Sequence, residues 1–312
     1  MLDITLIGCG ATMPTPSRAT AACAIGYAGR SVLLDCGEGT QVAARRAGVS
    51  LVKIEAVCLT HYHGDHIFGL PGLLQTMASQ GRERPVLLTG PGEGYSEVVP
   101  LLLHLAGPLP FEIVRRPLTL PEDVVSLWDG LHLESCLMNH RVPCCGYRFT
   151  LPRAGRFLPE KAAELGVSRK QWGSLQKGVP AKLADGRVIA PEQVLGPERT
   201  GLTVVYATDT APCAALPKLA RQADLLICDA TYAGEENLDK AELYGHSTFA
   251  QCGQLALDAG AKRLWLTHYS GALTAPEEEL YRAQTLFPAA EAGFDGMTLK
   301  LNFPKDQYGQ NG

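Results

Sequence analysis

One short segment, HYHGDH at residues 61–66, constrains this chain more than any other feature. It places three of the eight histidines and one aspartate within six positions. The run EAVCLT before it has the composition of a buried strand, and HIFGLPGLL after it is typical of a helix start. Neither the solvation of a surface nor the packing of a core calls for this set of side chains. The segment therefore predicts a metal site on a turn between a strand and a helix.

The spacing within the segment predicts two metal ions. His61 and His63 fall on one side of the turn, and Asp65 and His66 can reach a second point a few ångströms away. This split would serve two ions roughly 3.5–4 Å apart. Imidazole and carboxylate ligands favour zinc, and manganese or iron less exclusively. We therefore expect two zinc ions per chain, with manganese or iron as alternatives.

A two-metal site needs more ligands than the segment supplies, and three further residues stand in suitable places. His140 follows the strand-like run HLESCL, Asp209 lies just beyond the apolar run LTVVYA, and His268 follows KRLWLT. Loops at strand ends, held by a rigid sheet, are where a preorganised site belongs. We expect all three to join the metal site. His104 and His132 lie in apolar patterns and are interpreted as core or sheet-edge residues.

Strand-like and helix-like runs alternate along the chain, which indicates an α/β fold. Short apolar runs bounded by Gly, Pro or charge predict strands. Helical periodicity is clearest over 39–48, 66–80, 93–106, 247–260 and 276–287. Two sheets packed together, with helices outside, would cover the faces of the sheets. No run approaches 18 apolar residues, and the N-terminus is typical of a first strand, not a signal peptide.

Residues 152–200 interrupt the pattern, being rich in Pro, Gly and charge. Within 151–200 there are nine Lys or Arg and five Asp or Glu, so this part carries +4 and the rest of the chain −8. A basic segment in an otherwise acidic chain is expected where that segment binds a polyanion. A segment this long is not an ordinary loop. We predict one domain over 1–312, with 152–200 as an inserted arm.

The ten cysteines are scattered, without a CxxC pair, and mostly lie in apolar runs. This distribution is typical of reduced, buried cysteines in a cytoplasmic protein.

Together these pieces resemble one family. THYHGDH, then His140, then the TDT aspartate and His268 are similar to the metallo-β-lactamase superfamily. Within it, ATMPTPSRATAACAI, LLDCGEGTQ, THYHGDHIFGLPGLL, HRVPCCGYRF, YATDT, GHSTFAQ and LTHYSG resemble the ribonuclease Z family, in the right order over nearly the whole chain.

The resemblance implies a fold and a reaction. The fold would be a four-layer αββα sandwich with a protruding basic arm. The activity would be that of an endoribonuclease that cleaves the 3′ trailer from precursor tRNA. A metal-activated hydroxide would attack a phosphodiester and leave a 3′-hydroxyl. The family is usually homodimeric, and no organic cofactor and no membrane are implied.

The resemblance also implies roles for site residues. His61, His63 and His140 would bind one zinc ion, Asp65, His66 and His268 the other, and Asp209 would bridge them. Asp65 and His246 would act in catalysis, with His246 beside the scissile phosphate or the leaving group. Asp35 would hold the other nitrogen of a ligand histidine. Glu242, four residues before His246, is a candidate to orient that histidine.

The arm matches the family in position but departs from it in part. Arg169, Lys170, Trp172 and Lys177 are candidates for RNA binding, with Trp172 as a stacking surface. The family's Gly-Pro is missing, and Ser174 and Gln176 stand in place of two lysines. Fewer phosphate contacts predict weaker RNA binding that is less sensitive to salt. Similarly, Ser270 stands near a position where the family often has an arginine.

Two other functions are compatible with this sequence. A phosphodiesterase acting on small phosphodiesters would use the same two-metal site, and the altered arm favours it. A metal-stabilised RNA-binding protein without catalysis is the second, and the complete set of seven ligands argues against it. A glyoxalase-like thioesterase or a β-lactamase would not explain the basic insertion.

Overall fold

The computed structural model describes residues 1–305 of the chain, which fold around two seven-stranded sheets. The first sheet contains β1 (Leu2–Gly8), β2 (Ala22–Tyr27), β3 (Arg30–Leu34), β4 (Ile54–Cys58), β5 (Val86–Pro91), β6 (Ile113–Leu118) and, from the far end of the chain, β16 (Met297–Leu301). The second contains β7 (Glu122–Ser126), β8 (His132–Leu137), β9 (Cys145–Arg153), β12 (Arg199–Ala207), β13 (Leu225–Asp229), β14 (Leu264–Thr267) and β15 (Ala290–Ala292). The strands β10 (Ala181–Lys182) and β11 (Val188–Ile189) pair separately.

The helices are short. They are α1 (Thr40–Arg46), α2 (Gly64–Ile67), α3 (Leu70–Ser79), α4 (Tyr95–Ala106), α5 (Pro159–Glu164), α6 (Arg169–Gln176), α7 (Ala215–Leu219), α8 (Leu238–Tyr244), α9 (Phe249–Ala259), α10 (Pro276–Glu279) and α11 (Tyr281–Gln284). Single turns of 3₁₀ helix lie at Leu51–Lys53, Pro191–Gln193 and Glu235–Asn237. Across residues 1–305, none of the helices has both the length and the apolar character needed to cross a membrane.

Each large sheet has a parallel part and an antiparallel part. The first runs in the order β16-β1-β2-β3-β4-β5-β6, with β3 to β6 parallel. The second runs β15-β14-β13-β12-β9-β8-β7, with β12 to β15 parallel. The carboxyl ends of parallel strands meet at one edge of a sheet, and this edge is the usual place for a site in such sheets.

Helices cover the outside of the sheets. Buried residues of α1, α3 and α4 pack with those of β3, β4 and β5 in one apolar cluster, and α9 contacts β13 and β14. On the inside the sheets touch directly, because the Tyr206 hydroxyl of β12 donates to Asp35 and the Tyr147 hydroxyl of β9 donates to the Leu59 carbonyl. The layers are helix, sheet, sheet, helix, so the predicted αββα sandwich is confirmed.

The predicted helix over 66–80 is wrong in one respect: it is two helices. The chain breaks between α2 and α3, where the Gly69 amide donates to the Cys36 carbonyl. A Cβ added to Gly69 would lie 2.0 Å from the Gly37 carbonyl oxygen, so only glycine allows this approach. Pro71 near the start of α3 is compatible with the new helix start. Because the helix is interrupted here, Asp65 and His66 lie on a separate short helix, α2.

The chain divides into two compact units. The first comprises Met1–Thr150 and Thr203–Asn302, and the second comprises Leu151–Leu202 with residues 303–305. The predicted insertion, 152–200, falls within the second unit. That unit has a small apolar core of its own. Its buried members are Ala162, Val167, Leu175, Ala181, Leu183, Ile189 and Val194.

Candidate metal centre

The predicted ligands lie at strand ends and on one helix turn. His61 and His63 follow β4, Asp209 follows β12 and His268 follows β14. Asp65 and His66 are in α2, and His140 is in the connection between β8 and β9. Asp209 and His268 have φ values of 54° and 63°, in the left-handed region. This backbone costs on the order of 1–3 kcal/mol per residue and is typical of functional positions.

The structure gathers the seven side chains into two clusters. The first contains His61, His63, His140 and Asp209, and the second contains Asp65, His66 and His268. In each cluster the potential ligand atoms lie within 4.8 Å of one another. Each cluster offers the imidazole and carboxylate atoms that divalent metals such as zinc prefer.

Asp209 faces both clusters. Its Oδ1 lies 3.1 Å from His66 Nε2 and 3.2 Å from His268 Nε2. Its Oδ2 lies 3.8 Å from His61 Nε2 and 3.9 Å from His140 Nε2. One carboxylate with an oxygen toward each group of imidazoles has the arrangement of a bridging ligand.

Unpartnered buried atoms indicate that the site suits metal ions. His140 Nε2 is buried and forms no hydrogen bond within residues 1–305, and the buried Asp209 Oδ1 forms none either, although His66 Nε2 and His268 Nε2 lie 3.1 and 3.2 Å from it. A buried polar atom without a partner costs free energy, and a bound cation would supply the missing interaction. Together with the mixed imidazole and carboxylate atoms, these two atoms fit a pair of divalent ions.

In the first cluster the protonation states also suit metal binding, which needs neutral imidazole and ionised carboxylate. Burial is the main cause that lowers the pKa of His61, His63 and His140. Burial raises the pKa of Asp65 and Asp209, but the neighbouring histidines, His268 foremost, outweigh it and hold both pKa values below the usual range. The first cluster is therefore largely neutral imidazole beside an anionic Asp209.

Asp35 lies beneath the second cluster. Its carboxylate accepts hydrogen bonds from the Thr60 amide at 2.7 Å and from the Tyr206 hydroxyl at 3.2 Å. His66 Nδ1 lies 2.9 Å from Asp35 Oδ2, so His66 donates there and turns Nε2 toward the cluster. This is the contact that we expected Asp35 to make.

Asp65 is held by a contact that the sequence did not predict. The Thr12 amide donates to Asp65 Oδ2 at 2.7 Å, and Thr12 has a φ of 67°. The two residues are 53 positions apart, and the donor is a backbone group. For both reasons, no pattern of side chains in the sequence predicts the contact. The Thr12 amide holds Asp65 Oδ2 in place and leaves Asp65 Oδ1 to act as a proton acceptor.

His246 is oriented by Asp229, not by Glu242. His246 Nδ1 lies 2.7 Å from Asp229 Oδ2, whereas Glu242 is exposed on α8. Burial lowers the pKa of His246, but the Asp229 carboxylate outweighs it and raises the pKa to about 9. The His246 ring lies 5.4 Å from that of His268. The sequence contains a signal for Asp229, because it is the last residue of a buried strand. Asp209 and His268 likewise lie just past the ends of buried strands.

A cavity of about 600 Å³ opens over the two clusters. Metal-site residues His63, Asp65 and His268 line it, as does His246. Other lining residues are Thr12, Met13, Glu38, Phe68, Arg141 and Tyr244. The volume lies within the range of small-molecule sites and would take part of a larger substrate.

In the second unit, Arg169, Lys170 and Lys177 are exposed on and just after α6. Trp172 is half-buried, packs against the small core and donates from Nε1 to the Val167 carbonyl at 3.2 Å. The Arg169 guanidinium lies 5.7 Å from the Trp172 ring. Trp172 thus has a structural part in this unit, which leaves less of its ring for the stacking that we expected.

Comparisons with known proteins agree with this geometry. The Metallo-beta-lactamase superfamily profile matches residues 18–126, and a Beta-lactamase superfamily domain profile matches 177–269. A Ribonuclease Z of Lachnoclostridium phytofermentans is 41% identical over 98% of this chain and 100% of the relative. A Ribonuclease Z of Lachnospira eligens is 40% identical over 97% and 99%.

Solved structures share the fold. The short form of human tRNase Z has a TM-score of 0.69 with 24% identity, covering 96% of this chain and 100% of that one. A diphosphatase from the PhnP family has a TM-score of 0.66 with 19% identity, covering 97% and 99%.

Proposed function

The chain belongs to the ribonuclease Z family of the metallo-β-lactamase superfamily, and we propose that it uses two zinc ions to cleave the 3′ trailer from precursor tRNA. The family makes it a metal-dependent endoribonuclease that hydrolyses phosphodiesters. The observation that carries the proposal is the pair of ligand clusters that share Asp209. Manganese or iron would fit the same atoms less exclusively.

Each ion has its own ligands in the proposal. His61, His63 and His140 would hold one ion, Asp65, His66 and His268 would hold the other, and Asp209 would serve both. When bound, the ions supply Lewis acidity at the phosphate and lower the pKa of water.

The residues of the chain then handle protons. Asp65, with one oxygen fixed by the Thr12 amide, accepts the proton of the attacking water. His246, with Nδ1 held by Asp229, donates from Nε2 to the leaving 3′-oxygen of the tRNA. The bond between phosphorus and that oxygen breaks, so the tRNA ends in a 3′-hydroxyl and the trailer begins with a 5′-phosphate.

The Asp229 contact predicts how activity depends on pH. An acid such as His246 works while protonated, so activity is lost as pH rises through its pKa. Asp229 raises that pKa, and Asp229→Asn should move the alkaline limb of the kcat profile to lower pH by about two units or more. We expect kcat at pH 8 to fall about 10- to 100-fold.

The matched control is Asp229→Glu, which keeps the charge and should keep most of the alkaline limb. Metal content is measured in both variants to separate a proton-transfer effect from loss of ligands. An alkaline limb that stays in place in Asp229→Asn would remove His246 as the acid.

The basic second unit is proposed to bind the body of the tRNA. Arg169, Lys170 and Lys177 are exposed there, and each phosphate contact contributes to salt dependence. Replacing all three with alanine should raise KM for precursor tRNA about 10-fold or more. The plot of log KM against log salt should become flatter by about two units.

The control for this variant replaces three exposed cations of the first unit, Arg30, Lys53 and Lys300. That variant should keep the wild-type KM and salt dependence. Both variants should hydrolyse a small phosphodiester as wild type does. Equal KM values for tRNA in the two variants would rule out the second unit as the RNA-binding element.

A phosphodiesterase for small phosphodiesters is the second candidate, favoured by the altered sequence of 166–178. The test compares kcat/KM for a 3′-extended tRNA transcript and for bis(p-nitrophenyl) phosphate. A preference for the transcript of several orders of magnitude supports tRNA processing. Turnover of the small diester alone would favour the alternative, and RNA binding without turnover of either substrate would favour a non-catalytic protein.

The proposal includes a cytoplasmic location and a homodimer. All ten cysteines are free and nine of them are buried, as in a reducing compartment. The mass in solution, measured by light scattering, tests the homodimer.

A further inference from the structure

Two residues at the mouth of the cavity, Arg141 and Tyr244, are fixed to the metal centre by the chain itself. Arg141 directly follows the ligand His140, and Tyr244 stands two residues before His246. His140 Nδ1 donates to the Gly245 carbonyl at 2.9 Å. Gly245 has a φ of 73°, and a Cβ there would lie 2.9 Å from His140 Nδ1. Any shift of this segment would therefore disturb a metal ligand.

Arg141 and Tyr244 also contact each other. The Arg141 guanidinium carbon lies 5.6 Å from the centre of the Tyr244 ring, within the range of a cation–π interaction. Arg141 is exposed and makes no ion pair with the acids of residues 1–305, while Tyr244 is 42% exposed. A guanidinium held over a ring keeps its N–H groups free at the edge, where a phosphate can accept from them.

A second aromatic side chain lines the same cavity. Phe68, in the segment just after α2, is 67% exposed. Its ring is held over Gly64, where an added Cβ would lie 2.3 Å from Phe68 Cε2. Asp65 and His66 thus lie in the sequence between Gly64 and Phe68, and the Phe68 ring covers Gly64. The cavity therefore combines charged ligands with flat apolar surfaces, a combination that matches a charged phosphate with bases on either side.

An exposed aromatic residue with a nearby arginine is not by itself a binding site. The same chain carries a second such pair, in which the Arg282 guanidinium lies 5.4 Å from the Tyr281 ring and Tyr281 is 56% exposed. That pair does not line the cavity. What distinguishes Arg141 and Tyr244 is their attachment to His140 and His246.

We propose that Arg141 and Tyr244 form a nucleotide clamp at the cleavage site. Tyr244 stacks on the base of one of the two nucleotides that flank the scissile phosphate, and Arg141 binds a neighbouring phosphate. The clamp rests on the proposed function, since it assumes a polynucleotide substrate. To stack on the Tyr244 ring, a base inside the chain must be separated from its neighbouring base, which single-stranded RNA allows, so the clamp favours single-stranded RNA at the cut.

The test combines a protein change with a substrate change. Wild type, Tyr244→Ala and Tyr244→Phe are assayed on 3′-extended tRNA with all bases present, and on versions that lack the base on one side or the other of the scissile phosphate. Stacking predicts a loss in kcat/KM on the order of 10-fold for Tyr244→Ala, and a similar loss for wild type when the stacked base is missing. At the position of the stacked base, Tyr244→Ala acting on the substrate that lacks this base should lose no more kcat/KM than either change alone. Tyr244→Phe, which keeps the ring, should behave as wild type.

Three further measurements complete the design. Tyr281→Ala, the matched control, should keep wild-type kcat/KM. Methyl p-nitrophenyl phosphate, which has no base, should be hydrolysed equally by wild type and Tyr244→Ala. Arg141→Ala should raise KM for tRNA about 10-fold, and Arg141→Lys should recover only part of that loss.

The clamp would be overturned if the loss from Tyr244→Ala and the loss from the missing base multiplied at both base positions. A Tyr244→Ala enzyme with wild-type kcat/KM on tRNA, or one that is equally impaired on the small diester, would also overturn it. Failure of the proposed function looks different, because wild type itself would then leave the tRNA uncut while it hydrolyses the small diester.

Discussion

Replacing Asp209 with asparagine is expected to lower kcat/KM for precursor tRNA at least about 1,000-fold and, if the chain binds two ions as proposed, to reduce bound metal to at most one ion per chain. Asp209 is 2% exposed and directs one oxygen at each ligand cluster. Asparagine keeps the shape but removes the negative charge, and its amide nitrogen cannot coordinate as the carboxylate oxygen does. Losing a group that stabilises the transition state costs on the order of 100- to 1,000-fold, and here a metal ion is lost with it.

Asp123→Asn is the matched control for this change. The Asp123 carboxylate is also bound by a cation, Arg116 at 2.8 Å, but it does not line the cavity over the metal centre. This variant should keep the metal content and the activity of the wild type. Elemental analysis of both proteins, beside their kinetics, decides the outcome. An Asp209→Asn enzyme that retains two ions and wild-type kcat/KM would contradict the bridging role.

Replacing Asp65 with asparagine should abolish turnover while leaving tRNA binding almost intact. Asp65 Oδ2 accepts from the Thr12 amide and lies 3.5 Å from His268 Nε2 and 3.6 Å from His66 Nε2. Asparagine cannot take a proton from water, and it is a poorer metal ligand. We expect kcat to fall at least about 1,000-fold, because both general base catalysis and ligation are weakened. The dissociation constant for precursor tRNA should stay within about three-fold of wild type, because the phosphate contacts proposed for the second unit are untouched.

Glu38→Gln is the control for Asp65→Asn, since Glu38 lines the same cavity without joining either ligand cluster. Single-turnover cleavage and filter binding are measured for both variants. Glu38→Gln should cleave within about three-fold of wild type. If Asp65→Asn, with both metal ions bound, cleaved at the wild-type rate, Asp65 would be neither the base nor an essential ligand.

The grouping of the candidate ligands was predictable because their chemistry is local. Four of these residues lie within 61–66, and the other three follow strand-like runs that are visible in the sequence. Parallel strands bring their carboxyl ends together, so residues that follow strands converge without any knowledge of the loops. The αββα layers were predictable for a similar reason, because strand and helix periodicity alternate in both halves of the chain.

The supporting contacts were not predictable in the same way. Thr12 acts through its backbone amide, and its residue type carries no information about that contact. Glu242 was expected beside His246 from its nearness in sequence, but α8 exposes it, and Asp229 arrives from β13 instead. Trp172 was expected to face RNA, whereas a small folded unit needs large apolar residues for its own core. Tertiary packing decides all three contacts. The position of Asp229 at the end of a buried strand is a signal in the sequence, but it does not identify His246 as its partner.

The most direct test of the proposed function is the mapping of product ends after wild-type enzyme cleaves a 3′-extended precursor tRNA. We predict one cut near the acceptor end, a tRNA product with a 3′-hydroxyl and a trailer with a 5′-phosphate, and no such cut by Asp65→Asn. Cleavage that leaves a 3′-phosphate, or an intact precursor under conditions where the enzyme hydrolyses bis(p-nitrophenyl) phosphate, would contradict it.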